Sequence, residues 1–112
     1  MSYEYFVLRP YPSTKAWEDI CDIKEHLGCT FGCGFDKANK TLRCGKVSYK
    51  LDESTSNNIQ FFAAYKLDEM VACAVYVFDI HADRWDMQDY VEKFGDPKCK
   101  KGLFDYIRKF KN

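Results

Sequence analysis

His26, Cys29, Cys33 and Cys44 are the residues whose types could hold a metal. A soft cation such as zinc takes thiolate and imidazole ligands in a tetrahedron. The spacing is H-x2-C-x3-C-x10-C, without a tight C-x2-C knuckle. Cys33 and Cys44 also alternate with Phe31, Phe35 and Leu42, as small core residues do, which reads as buried thiols. No cofactor is therefore expected, with zinc at these four positions as the alternative. Oxidation would allow a Cys33–Cys44 cross-strand disulfide.

Other groups could do acid–base or nucleophilic work. In Asp79-Ile80-His81-Ala82-Asp83, a continuing strand would set two carboxylates and an imidazole on one face, fit for a divalent metal or proton transfer. The simpler reading ends the strand, lets Asp83 cap a helix and leaves His81 exposed. Cys73 with His81, or Cys29 with His26, could pair a thiolate with a base. No nucleophile elbow, phosphate loop or metalloprotease helix is present, and no helix follows Gly32 and Gly34. The sequence leans away from an enzyme.

Charged and aromatic residues point instead to a surface. Lys98, Lys100, Lys101, Arg108, Lys109 and Lys111 face only Asp96 and Asp105 in the last stretch, so the rest of this formally neutral chain is acidic. Cations interleaved with aromatics could follow a phosphate backbone and stack bases. Asp83, Asp86, Asp89 and Glu92 would line one side of a helix and suit a basic partner. Tyr3, Tyr5, Tyr11, Trp85 and Tyr90 exceed the evident needs of a core, and aromatics are enriched in interface hot spots.

These groups depend on the elements that carry them. Tyr3 to Arg9 reads as a strand, ended by Pro10 and Pro12. Ser13 is placed as an N-cap for a helix with Ala16, Trp17, Ile20, Ile23 and Leu27 at helical spacing, stopped by Gly28. A hairpin follows around residues 36–40, with Phe35 opposite Leu42 and Cys33 opposite Cys44. The apolar phase then slips at Gly45, as at a β-bulge, which would bring Phe31 to Val47 and Cys29 to Tyr49. A polar loop from Asp52 to Asn58 leads to a second hairpin around Asp68-Glu69. Its strands are apolar on both faces and so central to the sheet.

After Asp83, the positions of Met87, Tyr90, Val91 and Phe94 predict a helix ended by Gly95. Asp96-Pro97 starts the last helix, whose stripe is Leu103, Tyr106, Ile107 and Phe110, with Gly102 a second possible start. The expected order is β-α-β-β-β-β-α-α. It implies one α+β domain over residues 1–112, with a five-stranded, mostly antiparallel sheet and helices on at least one face.

Apolar residues at 46% and charged residues at 30% exclude a disordered chain. The first residues carry neither a basic stretch nor an apolar run, so no secretory signal is expected, and six cysteines fit a reducing cytoplasm. No apolar run is long enough for a bilayer. Size, abundant Lys, Tyr and Phe, free cysteines and the missing catalytic motif resemble small accessory proteins of large phages. That resemblance is compositional and assigns no residue a role. It implies a non-enzymatic protein that binds and modulates or inhibits a host or viral macromolecule, with a protein the expected partner; the neutral net charge and the apolar second hairpin leave both monomer and homodimer open. A zinc-stabilised domain and nucleic-acid binding through the basic C-terminal helix are the alternatives.

Overall fold

Two chain segments of unequal hydropathy, residues 59–79 and 84–92, build the centre and one edge of a sheet that positions everything else. In the computed structural model, which describes residues 2–9, 13–27, 33–36, 38–44, 46–51 and 58–111, the elements run in the following order. They are β1 (Glu4–Leu8), α1 (Lys15–Leu27), β2 (Cys33–Asp36), β3 (Thr41–Cys44), β4 (Val47–Lys50), β5 (Ile59–Lys66), β6 (Glu69–Asp79), β7 (Arg84–Glu92) and α2 (Pro97–Lys111). The class is α+β, but there are two antiparallel sheets instead of one with five strands. A four-stranded sheet has the order β1-β5-β6-β7, and a three-stranded sheet has the order β2-β3-β4.

β5 and β6 are the inner strands, and both faces of the larger sheet are covered. One face packs Phe61, Ala63, Cys73, Val75 and Val77 against Trp17, Ile20 and Ile23 of α1 and Leu42 of the small sheet. The other packs Phe62, Ala64, Ala72 and Ala74 against Cys99, Leu103 and Ile107 of α2. Burial on both sides explains why these two strands lack polar alternation. Phe35 joins the layers on the first face, 5.5 Å from Trp17 and 6.1 Å from Phe61 between ring centroids.

Several local expectations hold. Cys33 opposes Cys44 and Phe35 opposes Leu42 in the β2–β3 register. The second hairpin turns at Leu67 and Asp68, both at positive φ (51° and 62°), one residue earlier than placed. α2 begins at Pro97 and runs through Gly102. Asp96 caps it, accepting the Lys98 N–H at 2.9 Å, and its other carboxylate oxygen accepts a hydrogen bond from the Tyr3 hydroxyl, tying β1 to the helix.

Three expectations are overturned. Thr14, not Ser13, caps α1, its Oγ1 accepting the Trp17 N–H at 3.2 Å. The phase slip near Gly45 is a turn between strands, across which Cys44 pairs with Val47 and Leu42 with Tyr49. Phe31, Cys29, Gly28 and Gly45 themselves lie outside the described residues. The helix expected after Asp83 is instead β7.

The β7 result has a specific cause. Val75 pairs with Asp89 and Tyr76 with Met87, leaving Gln88 as an extra residue in a bulge. The bulge resets the alternation, so Met87 and Tyr90 share one face and Asp86 and Asp89 share the other. A spacing of three normally signals a helix; here a bulged strand produces it. Asp83 is a turn residue at φ 51° and caps nothing, and Gly95 follows a strand.

Candidate functional site

The face of the large sheet under α2 carries an aromatic layer drawn from four strands and the helix. Tyr5 of β1 lies 5.9 Å from Tyr106 of α2 in a stacked arrangement. Phe62 of β5 meets Tyr76 of β6 edge-on at 5.3 Å, and Tyr90 of β7 meets Phe104 of α2 at 5.3 Å. Edge-on and offset contacts of this kind match the positive ring edge to the negative face. Tyr3, Tyr5, Trp85 and Tyr90 are thus half-buried members of this layer, not a free aromatic surplus. Tyr11 lies outside the described residues.

Cations sit on these rings. Lys100 Nζ lies 5.4 Å from the Tyr90 centroid and 5.8 Å from that of Phe104. Lys111 Nζ lies 3.7 Å from the Trp85 centroid and also faces Phe62 and Tyr76. Burial pulls the Lys111 pKa down to about 8, while the ring faces act in the opposite sense by favouring the charged form. Burial, followed by a hydrogen bond donated to Glu92 at 2.9 Å, pushes the Tyr90 hydroxyl well above its ordinary value.

Beyond the last turn of α2 the layer opens. Met87 and Phe110 are 46% and 47% exposed, Trp85 and Phe78 are partly so, and Ile80 stands out at the β6–β7 turn. The outer side of α2 presents Lys98, Lys100, Lys101, Arg108 and Lys109 to solvent. Lys101 and Arg108 both bind Asp105, whose carboxyl their hydrogen bonds hold below its usual range. Lys98 and Lys109 have no ion-pair partner among the described residues.

The acidic positions do not form one surface. Asp83 is in a turn, Asp86 lies 2.9 Å from Arg84, and Glu92 accepts from Tyr90. Asp89 lies beneath α1 with its side chain 9% exposed, where the Lys24 ammonium donates to it and lies 5.6 Å from the Phe35 ring. Lys24 is the missed member of this pair. Its signal was in the sequence: it extends the stripe of Trp17, Ile20 and Cys21 to i+7, so a lysine occupies a core position.

The metal candidates are not brought together among the described residues. His26 is exposed on the last turn of α1, Cys29 lies outside the described residues, and only the backbones of Cys33 and Cys44 are described, in direct opposition. No group of three His, Cys, Asp or Glu among the described residues is placed to hold an ion. His26 instead borders a groove of about 320 Å³ between α1 and the β5–β6 turn, with Lys15, Asp19, Asp22, Asp68, Glu69 and Lys93. Ion pairs Lys15–Asp19 and Lys93–Glu69 offset much of its charge. Asp79 ends β6 and accepts the backbone N–H groups of His81 and Ala82 at 2.9 and 3.1 Å, so its carboxylate serves the turn.

Cys21, Cys73 and Cys99 are buried free thiols. Burial raises the pKa of Cys73 and Cys99, which keeps both protonated and weakly nucleophilic. No helix is long and apolar enough to cross a membrane among the described residues. No protein-family model, curated protein or solved structure matches the chain.

Proposed function

We propose that this chain is a non-enzymatic protein that binds another protein through the open end of the α2 layer. The observation that carries the reading is the grouping of half-exposed Trp85, Met87 and Phe110 beside the cations of the last helical turn. Large apolar side chains ringed by charge are the composition of an interface core and its rim. The burial of Cys21, Cys73 and Cys99 favours binding over thiol chemistry. Such a protein modulates or inhibits its partner by occupying it. The basic side of α2 also suits nucleic acid, but Asp105 engages two of its cations, which weakens that alternative.

A photo-crosslinking residue placed at Met87, in cells of the source organism, tests the reading. The expected result is a discrete adduct from position 87, reduced by Phe110→Glu, and none from the equally exposed Val47 on the small sheet. Equal labelling from both positions, or no adduct from either, would overturn it.

A further inference from the structure

Lys111 is held by groups that answer its charge without neutralising it. Its Nζ lies 3.7 Å from the Trp85 centroid, 5.4 Å from Phe62 and 5.5 Å from Tyr76. It donates a hydrogen bond to Gln60 Oε1 at 2.8 Å. No carboxylate pairs with it among the described residues. Gln60 is a polar residue on β5 beside Ile59 and Phe61, and its register partner is Tyr76 of β6. Gln60, Phe62, Tyr76 and Trp85 therefore come from three adjacent strands to one point, where Lys111 of the last turn of α2 meets them.

An ammonium carries three N–H donors. This enclosure offers one oxygen acceptor and three ring faces, so the other two donors are left to water at its open side. A dimethylated amine matches it better: one N–H for Gln60 and two methyl groups for the rings. Methylation also lowers the cost of stripping water from the cation, and ring faces recognise such groups.

We propose that Gln60, Phe62, Tyr76 and Trp85 form a binding site for a methylated lysine of a protein partner, filled in the free protein by Lys111 as an internal plug. The inference rests on the protein-binding reading and names the group that the partner would present. Displacing the plug frees the last turn of α2 with its exposed Phe110 at the same interface.

The probe is N-acetyl-dimethyllysine amide, titrated at constant ionic strength into the wild type and Lys111→Ala. The indole resonance of Trp85 reports the site, and that of Trp17, 3% exposed under α1, reports intact folding. A tethered competitor acts at millimolar or higher effective concentration, so Lys111→Ala should bind about tenfold more tightly than the wild type. Dimethyllysine should bind more tightly than lysine, and a neutral carbon isostere should not bind. In Lys111→Ala/Trp85→Leu, ligand-observed saturation transfer should vanish while the Trp17 resonance stays in place.

An unmoved Trp85 resonance in folded Lys111→Ala would overturn the proposal, as would equal binding of the neutral isostere. If position 87 captures a partner but Lys111→Ala ignores dimethyllysine, this inference falls alone. If position 87 captures nothing, the protein-binding reading falls with it.

Discussion

The two faces of the four-stranded sheet are each covered by a helix, yet they treat lysine in opposite ways. On the α1 face, Lys24 is 1% exposed and its ammonium meets Asp89, whose side chain is largely covered. On the α2 face, Lys100 and Lys111 lie over aromatic rings, partly open to water. A desolvated ion pair is costly to form and still costlier to break, because removing one partner strands the other charge. Ring contacts at a half-exposed site are worth less and can be exchanged. The α1 face therefore holds the fold, while the proposed partner binding would use the exchangeable contacts at the open end of the α2 face.

The largest test of that contrast is Asp89→Ala. It leaves Lys24 buried without its counter-ion and should cost about 3–5 kcal/mol, seen as a lower urea midpoint. Replacing both partners, as Lys24→Met with Asp89→Leu, should restore stability to within about 1 kcal/mol of wild type or exceed it. If Asp89→Ala costs less than about 1 kcal/mol, the ion pair does not secure β7 to α1 and the contrast fails.

Gly102→Ala probes the packing of the opposite face. Helix propensity alone would make it stabilising by about 1 kcal/mol. The new Cβ, however, would lie 1.8 Å from Tyr5 Oη and 2.7 Å from Tyr5 Cζ. The Tyr5 ring, stacked on Tyr106, must be displaced, so a net loss of about 1–3 kcal/mol is expected. Tyr5→Phe in the same background removes the nearest atom and should recover part of it. A net gain from Gly102→Ala would show that Tyr5 moves freely.

The smallest effect concerns the Tyr3–Asp96 link between β1 and α2. The Tyr3 hydrogen bond, followed by the Lys98 N–H, holds the Asp96 carboxyl below its ordinary value. Its contribution is present above the unfolded carboxyl pKa and is lost as pH falls through the lower folded value. The Asp96 bond raises the Tyr3 pKa to about 12, so that contribution is complete below the unfolded tyrosine value and disappears as pH rises through about 12. Urea midpoints should therefore drop at both ends of the pH range. Tyr3→Phe should flatten the acid limb but only part of the alkaline limb, because Tyr65 is also raised to about 12, by burial first and Asp19 second. An unchanged acid limb in Tyr3→Phe would show that other carboxyl groups dominate there.

Elements built on local pattern were legible. The β2–β3 register followed from alternation around one turn, and the central place of β5 and β6 followed from apolar residues on both faces. α2 was readable from Pro97 and its stripe, of which Leu103 and Ile107 are buried. β7 was not, because the Gln88 bulge gives a strand the three-residue spacing of a helix. That error also placed Asp83, Asp86, Asp89 and Glu92 on one imagined surface. Of the residues at the open end of the α2 layer, the sequence singles out Trp85 and the basic α2 positions, whereas Gln60, Phe62, Tyr76 and their contact with Lys111 carry no local signal. They meet only when β5, β6, β7 and the end of α2 come together.

The sequence by itself determined the α+β class, the tight hairpins, the two inner strands and both helices that remain. Each rests on periodicity and turn chemistry over a few neighbouring residues. Only the tertiary structure decided that residues 84–92 are a strand, that Asp89 is set against the buried Lys24, and that Lys111 reaches the rings of three strands. The physical reason is that strand pairing and the burial of charge depend on which distant segment supplies the opposing hydrogen bonds, counter-ion or ring face. No local spacing carries that information.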